Sequence, residues 1–147
     1  MASQGNADVV RKFTAGLRAG DVSGCLDLLD EDIVFAEAKS LPFGGDYRGK
    51  SGFVQLLRNV SRDYLIELGE PEIGDGGAFV AVRVHGRAMS RATGRGLDMR
   101  VVDLYELRDG KITRVDVFYH DSQAMTDLCR DVVAAGSPSS DQQGGGS

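Results

Sequence analysis

The chain contains no tryptophan, only two histidines, two cysteines and three prolines. Cys25 and Cys129 lie far apart in helix-patterned segments. They make neither a disulfide framework nor a ligand cluster, and they fit a reducing, cytoplasmic setting. His85 and His120 have no partners at ligand spacing, so no metal motif is present. No apolar run approaches the ~20 residues of a membrane span. The first residues, Met1-Ala2-Ser3-Gln4-Gly5-Asn6, lack a basic region followed by an apolar one, so no secretory signal is expected. Lysine and arginine number 17 against 22 aspartate and glutamate, a net charge of −5. Binding to nucleic acid or to a membrane surface draws on a basic excess that this chain lacks.

What is present suits one ordinary globular domain. The 147 residues are 41% hydrophobic and 27% charged, enough to bury one sizeable core. We assign residues 1–135 to that domain. Residues 136–147 are polar and rich in glycine and serine. Their composition predicts a disordered tail, and the closing Gly-Gly-Gly-Ser reads as linker.

Two periodicities divide the domain. Val10, Phe13, Thr14 and Leu17 recur at helical spacing after a possible Asn6 cap, and Gly20 ends that helix. Asp21 can cap a short second helix carrying Val22, Cys25, Leu26 and Leu29, and Ile33 to Glu37 reads as a strand. A Gly- and Pro-containing loop precedes a third helix marked by Phe53, Leu56, Leu57, Val60 and Tyr64. From Leu65 the period becomes two. Residues 65–73, 78–89, 96–107 and 112–119 are strand-like and separated by turn sequences. Such short connections join antiparallel neighbours. Ala124, Met125, Leu128 and Val132 suggest a final helix. Helices followed by a β-meander predict an α+β fold, with helices against one face of a curved sheet.

Gly44-Gly-Asp-Tyr-Arg-Gly-Lys-Ser51 matches the phosphate-loop string G-x-x-x-x-G-K-[ST]. That motif works where a buried parallel strand runs directly into the loop and a helix follows. Here residues 38–43, including Pro42, intervene, and the rest of the sheet reads as antiparallel. We read the match as a coincidence of a glycine-rich chain.

Several polar residues interrupt the apolar alternation. In Met99–Leu107, one face holds Met99, Val101, Asp103, Tyr105 and Leu107, and the other holds Arg100, Val102, Leu104 and Glu106. Asp103 therefore falls on the more buried face. There it is either a structural group bound to an amide or arginine, or a carboxyl suited to proton transfer. In Val80–His85 the valines take one face and Arg83, His85 and Arg87 the other. That stripe is either a solvated basic face or an acid–base group with an orienting arginine. Whether His85 shares a face with Asp103 depends on the register of the hairpin around Thr93-Gly94, where a one-residue slip decides. Glu37 ends the first strand beside a loop, 38–48, expected to be flexible, either as a surface charge or as a general base. His120-Asp121 reads as an exposed turn capping the last helix.

Together, "LRAGDVSGCLDLLDEDIVF", "GGDYRGKSGFVQLL" and "VVDLYELRDGKITRVDVFYHD" resemble the nuclear transport factor 2-like superfamily in its SnoaL-like, polyketide cyclase-like branch, over about residues 7–130. The resemblance implies a cone-shaped fold with three N-terminal helices on a curved, mainly antiparallel sheet. It also implies a homodimer and a pocket between the helices and the concave face. Such folds host cyclases, isomerases, epoxide hydrolases and non-catalytic proteins alike, so the fold alone does not fix the activity. By the resemblance, Asp103 falls where ketosteroid isomerases keep an oxyanion-donating acid, and Glu37 near their general base. Phe13 stands where their oxyanion tyrosine would be, which argues against steroid-type isomerisation. Arg83-Val84-His85 resembles the Arg-x-Asp of limonene epoxide hydrolase with histidine in place of the acid. SnoaL-like cyclases carry a histidine in the corresponding strand before the Thr-Gly hairpin, and by the resemblance His85 can match it across a short gap.

The expected function is that of a cyclase or isomerase acting on an enolisable polyketide- or terpenoid-like substrate, apolar to amphipathic, with no metal or cofactor. His85, Asp103 and Glu37 are its expected catalytic groups. Arg83 and Tyr105 would orient the substrate, and Phe13, Leu17, Phe35, Phe53, Leu57, Val101 and Phe118 would form the apolar walls. The alternatives are epoxide hydrolysis or hydration in the same pocket, or a non-catalytic binding or interaction module.

Overall fold

The computed structural model describes residues 5–136, with side chains described through residue 130. Apart from Gly136, the expected Gly/Ser tail lies outside the described residues. The elements are α1 (Asn6–Ala19), α2 (Val22–Leu26), β1 (Leu29–Glu37), β2 (Gly45–Arg48), α3 (Gly49–Asp63), β3 (Tyr64–Leu68), β4 (Glu72–Asp75), β5 (Phe79–Ser90), β6 (Gly96–Arg108), β7 (Lys111–Tyr119) and α4 (Ser122–Gly136).

Local chemistry sets most of these boundaries. The first residue outside α1 at its N-terminus is Gly5, with no side-chain cap, so Asn6 is a helical residue and not the expected cap. Gly20 closes the helix in the left-handed region at φ 72°, where glycine carries no Cβ penalty. Asp21 caps α2 by accepting from the Gly24 amide. Asp121 does the same for α4 through the Ala124 amide. Val9, Val10, Phe13 and Thr14 form the buried stripe of α1, and Phe53 and Leu56 that of α3.

The strands form one sheet in the order β2-β1-β7-β6-β5-β3, with β4 also on β5. All pairings are antiparallel except β1 with β7. Two expectations need correction. Residues 65–73 are not one strand: the segment breaks between β3 and β4, which lie in tandem along the edge of β5. Pro71 has no amide to offer the ladder, while the Gly69 amide turns to the His85 carbonyl. The connection after Glu37 is not a mobile loop. Two successive turns, Leu41 N–H to the Ala38 carbonyl and Gly44 N–H to the Leu41 carbonyl, tuck Leu41 and Phe43 into the core. The chain then enters β2, which pairs with β1.

That strand also disposes of the phosphate-loop string. Residues 45–48 of the match are extended and paired with β1, so their amides form no cradle, and Lys50 pairs with Glu31 at 3.3 Å. Among the described residues, no helix is long and apolar enough to cross a membrane.

One test follows from the double turn. A Cβ on Gly44 would stand 2.3 Å from the Ala38 carbonyl oxygen, with Lys39 backbone atoms at 2.8 Å. Gly44→Ala is expected to cost about 2 kcal/mol or more of unfolding free energy, because the obstacle is backbone that cannot swing aside. Urea denaturation with an unchanged m-value checks this, and wild-type stability would refute the packing described.

Candidate active site

The site follows from the period of two on four adjacent strands. Paired residues share a face, so the registers draw rows across the concave side of the sheet. One row is Phe35 (β1), Val115 (β7), Tyr105 (β6) and Val80 (β5). One step toward the end of β1, the same register brings Glu37 level with Val117, which pairs with Asp103, itself opposite Val82. A further row holds Tyr119, Val101 and Val84. At roughly 4.8 Å per strand, Glu37 and Asp103 have Cα atoms about 10 Å apart, with the Val117 side chain between them.

Helices α1 and α3 cover these rows. Phe13 lies 5.7 Å from Phe53, 6.1 Å from Phe35 and, edge-on, 5.9 Å from Tyr105, and Phe35 stacks on Phe53 at 5.1 Å. Aromatic pairs of this kind add about 0.5–1.5 kcal/mol each beyond the area they bury. Between the aromatic floor and the sheet is a cavity of about 450 Å³, within the usual range for a small-molecule site. Its walls are mainly apolar. Among its lining residues, the exposed Arg18, Leu65 and Arg91 mark where it meets solvent.

Glu37 and Asp103 both face this cavity. Glu37 is 9% exposed. Asp103 touches the open space of the cavity but is otherwise enclosed by protein. Each has one buried carboxyl oxygen, Oε1 of Glu37 and Oδ1 of Asp103, with no hydrogen-bond partner. Burial pushes Glu37 up to about 8, and the nearby charge of Asp103 pushes the same way. Burial raises Asp103 to about 7, against the pull of a hydrogen bond from the Tyr105 hydroxyl, which favours its anion. Tyr105 itself is held well above its ordinary value, first by burial and then by the Asp103 charge. Near neutrality the two carboxyls thus hold about one proton between them, with the charge favoured on Asp103 and the proton on Glu37.

Of the expected site residues, the fold brings together Glu37, Asp103, Tyr105, Phe13, Leu17, Phe35, Phe53, Leu57 and Val101. It leaves out three. His85 pairs with Arg100 on the outer face, in a register that puts Val84, and not His85, on the side of Asp103. The imidazole is exposed and lines no part of the cavity, so it is not the partner of Asp103. Arg83 shares that outer face and is engaged by Glu72 at 2.5 Å. The two residues that suggested an epoxide hydrolase-like motif are thereby removed from the pocket. Phe118 is 55% exposed and pairs with Val102 on the outer face, so it is not a wall.

Among the lining residues missing from the expected site are two with hydroxyls, Tyr64 and Tyr119. Alternation along Val115-Asp-Val-Phe-Tyr119 points Val115, Val117 and Tyr119 inward, and the same period leaves Phe118 on the outer face. Among the described residues, no group of three or more His, Cys, Asp or Glu side chains gathers as a metal would require.

A family model of the SnoaL-like domain matches residues 10–115. The chain belongs to the SnoaL-like family. Solved structures place this SnoaL-like chain in the nuclear transport factor 2-like superfamily. A nuclear transport factor 2-like protein from Burkholderia xenovorans LB400 is 27% identical, with TM-score 0.78, over 88% of this chain and 98% of the other. A protein provisionally assigned as a polyketide cyclase, from Silicibacter sp. TM1040, is 25% identical, with TM-score 0.70, over 83% and 93% of the two chains. TerC, crystallised with polyporic acid, is 24% identical, with TM-score 0.76, over 85% and 98%, and attests the fold. No curated protein matches this SnoaL-like chain.

The raised carboxyls make stability depend on pH. Both bind protons more tightly folded than unfolded, so their contribution is fully present below the unfolded values near pH 4 and is lost as pH rises through about 7 to 8. The melting temperature of the wild type is therefore expected to fall between pH 6 and pH 9 (about the span of the two titrations). Glu37→Gln, which cannot ionise, is expected to be the more stable of the two at the alkaline end, by about 1 kcal/mol or more. Parallel melting curves for the two proteins would refute the burial of an ionisable Glu37.

Proposed function

We propose that this SnoaL-like chain is an enzyme of the cyclase or isomerase type, acting by acid–base catalysis on a small, largely apolar substrate with an enolisable carbon. The observation that carries the reading is the pair of buried carboxyls in one apolar cavity, each with an oxygen that bonds to nothing. A cavity that only bound an apolar ligand would gain nothing from two desolvated carboxyls, which are costly unless used or paired. Membership of the SnoaL-like family and the likeness to a provisionally assigned polyketide cyclase support the same class.

In this reading Asp103, whose anion the Tyr105 hydroxyl favours, takes the proton from the carbon next to a carbonyl. The C–H electron pair becomes the new C=C bond and the carbonyl electrons move to oxygen. Glu37, which holds the proton, donates a hydrogen bond to that oxygen and can pass its proton to the product. The aromatic floor of Phe13, Phe35 and Phe53 packs the apolar part of the substrate and excludes water. The enolate formed here can attack a second carbonyl of the same molecule, closing a ring, or be reprotonated elsewhere, giving an isomer.

The test needs no knowledge of the natural substrate. In D₂O, the protein is expected to speed exchange of the acidic C–H protons in a panel of aryl ketones and β-dicarbonyl compounds, followed by proton NMR. Asp103→Asn is expected to lower the exchange rate about 100-fold and Glu37→Gln about 10-fold, with folded spectra retained, while His85→Ala leaves it unchanged. The rate is expected to peak between the two carboxyl titrations, near pH 7 to 8, where one proton is shared. Full exchange activity in both carboxyl variants would sink this assignment.

A further inference from the structure

We propose that Tyr119 is a further catalytic residue of this cavity, donating a hydrogen bond through its phenol to the oxygen on which negative charge develops. This rests on the acid–base reading above and adds to it the second donor that an enolate oxygen can use.

Four observations converge on Tyr119. It lies on β7 in the row next to that of Asp103, opposite Val101, and it lines the cavity. Its ring packs against that of Phe43, whose centroid is 6.1 Å away and which is itself fully buried. Among the described residues its hydroxyl has no hydrogen-bond partner. The two nearby tyrosines differ: the Tyr64 hydroxyl donates to the Met125 carbonyl at 2.5 Å, and the Tyr105 hydroxyl serves Asp103. Tyr119 also feels the charges of both Glu37 and Asp103, which places it within electrostatic reach of both carboxyls.

The chemistry fits its state. Burial first, and then those two acids, hold the Tyr119 phenol well above its ordinary range, so it stays protonated throughout the working pH of the carboxyl pair. A neutral hydroxyl donates one hydrogen bond and carries no charge to repel. As Asp103 takes the carbon proton and the carbonyl oxygen becomes negative, donors already aimed at that oxygen strengthen their bonds without reorganising. No proton need leave Tyr119. Glu37 keeps or gives its own proton, so the step balances without another reactant. Phe13, on the opposite wall, has no polar atom to offer, so a tyrosine donor in this cavity must come from the sheet side.

Enolate analogues test this directly. A naphthol presents an acidic oxygen on an apolar body, and 2-methylnaphthalene has the same shape without the oxygen. Binding of a series of 2-naphthols of graded acidity, and of 2-methylnaphthalene, would be measured by titration calorimetry and ultraviolet absorbance for the wild type, Tyr119→Phe and Asp103→Asn. The expected result is that Tyr119→Phe binds naphthols about tenfold or more weakly, gains less affinity from more acidic members, and binds 2-methylnaphthalene as the wild type does. Asp103→Asn, which removes a charge that repels a naphtholate, is expected to bind the acidic members more tightly. Equal naphthol affinities for wild type and Tyr119→Phe, with Asp103→Asn still altered, would overturn the role of Tyr119 and leave the acid–base reading standing. Equal losses for naphthols and 2-methylnaphthalene would overturn it too, by reducing Tyr119 to packing. A wild type with no preference for naphthols over 2-methylnaphthalene, unaltered in Asp103→Asn, would overturn both.

Discussion

Two carboxyl groups that face one apolar cavity cannot both be charged without a large desolvation cost, and every other feature of the cavity is arranged around that constraint. Neither Glu37 nor Asp103 has an arginine or lysine partner among the described residues, and each leaves an oxygen unbonded. The cations nearest the cavity are kept at its margin, where Arg18 is drawn to Glu70 and Arg91 to the Ser61 carbonyl. What Asp103 receives instead is the Tyr105 hydroxyl. Tyrosine can bias a proton between two acids without neutralising either, as a cation would. The Tyr105 bond to Asp103 does this, favouring the anion there, whereas burial and the Asp103 charge favour the proton on Glu37.

The scaffold serves the pair by stiffness. Glu37 stands at the very end of β1, a position that would fray in an open sheet, but β2 and β7 flank that strand and the turns after it are anchored from inside by Leu41 and Phe43. The Thr126 hydroxyl of α4 ties the Ser40 carbonyl of the same turn at 2.9 Å. Asp103 lies in the middle of the longest strand, with neighbours on both sides. The Val117 isopropyl group between the carboxyls keeps their acidic atoms apart, so a substrate, and not a shared hydrogen bond, is left to bridge them.

Much of this was legible in the chain. Alternation alone puts Asp103 on the same face as Val101 and Tyr105, because a period of two on one strand needs no partner to be read. Glu37 follows Ile33 and Phe35 in the same manner. The SnoaL-like hairpins fixed the order of the meander. His85 failed for a different reason. Its face relative to Asp103 depends on the pairing of β5 with β6, and a one-residue difference in register reverses it. The observed register pairs Val84 with Val101, a fact of strand pairing that no pattern within one strand carries. Phe118 and Tyr119 are the converse case, where the local pattern was sufficient but was outweighed by side-chain hydrophobicity. Strand β2, four residues in a glycine-containing stretch, lacked enough length for any periodicity to register.

The single parallel pairing, β1 against β7, has a kinetic meaning. It joins a strand near the start of the domain to the last strand of the meander. The other neighbour of β1 is the four-residue β2, too short for the two to persist alone. Strand β1 therefore has to wait for the C-terminal hairpin, and closing so long a loop is among the slower events in folding a domain of this size. During synthesis on the ribosome, Glu37 therefore emerges well before it is seated beside Asp103 of β6. The two carboxyls come to share one cavity only once the last strand of the meander has formed, so incompletely folded molecules carry both residues without the burial that raises them.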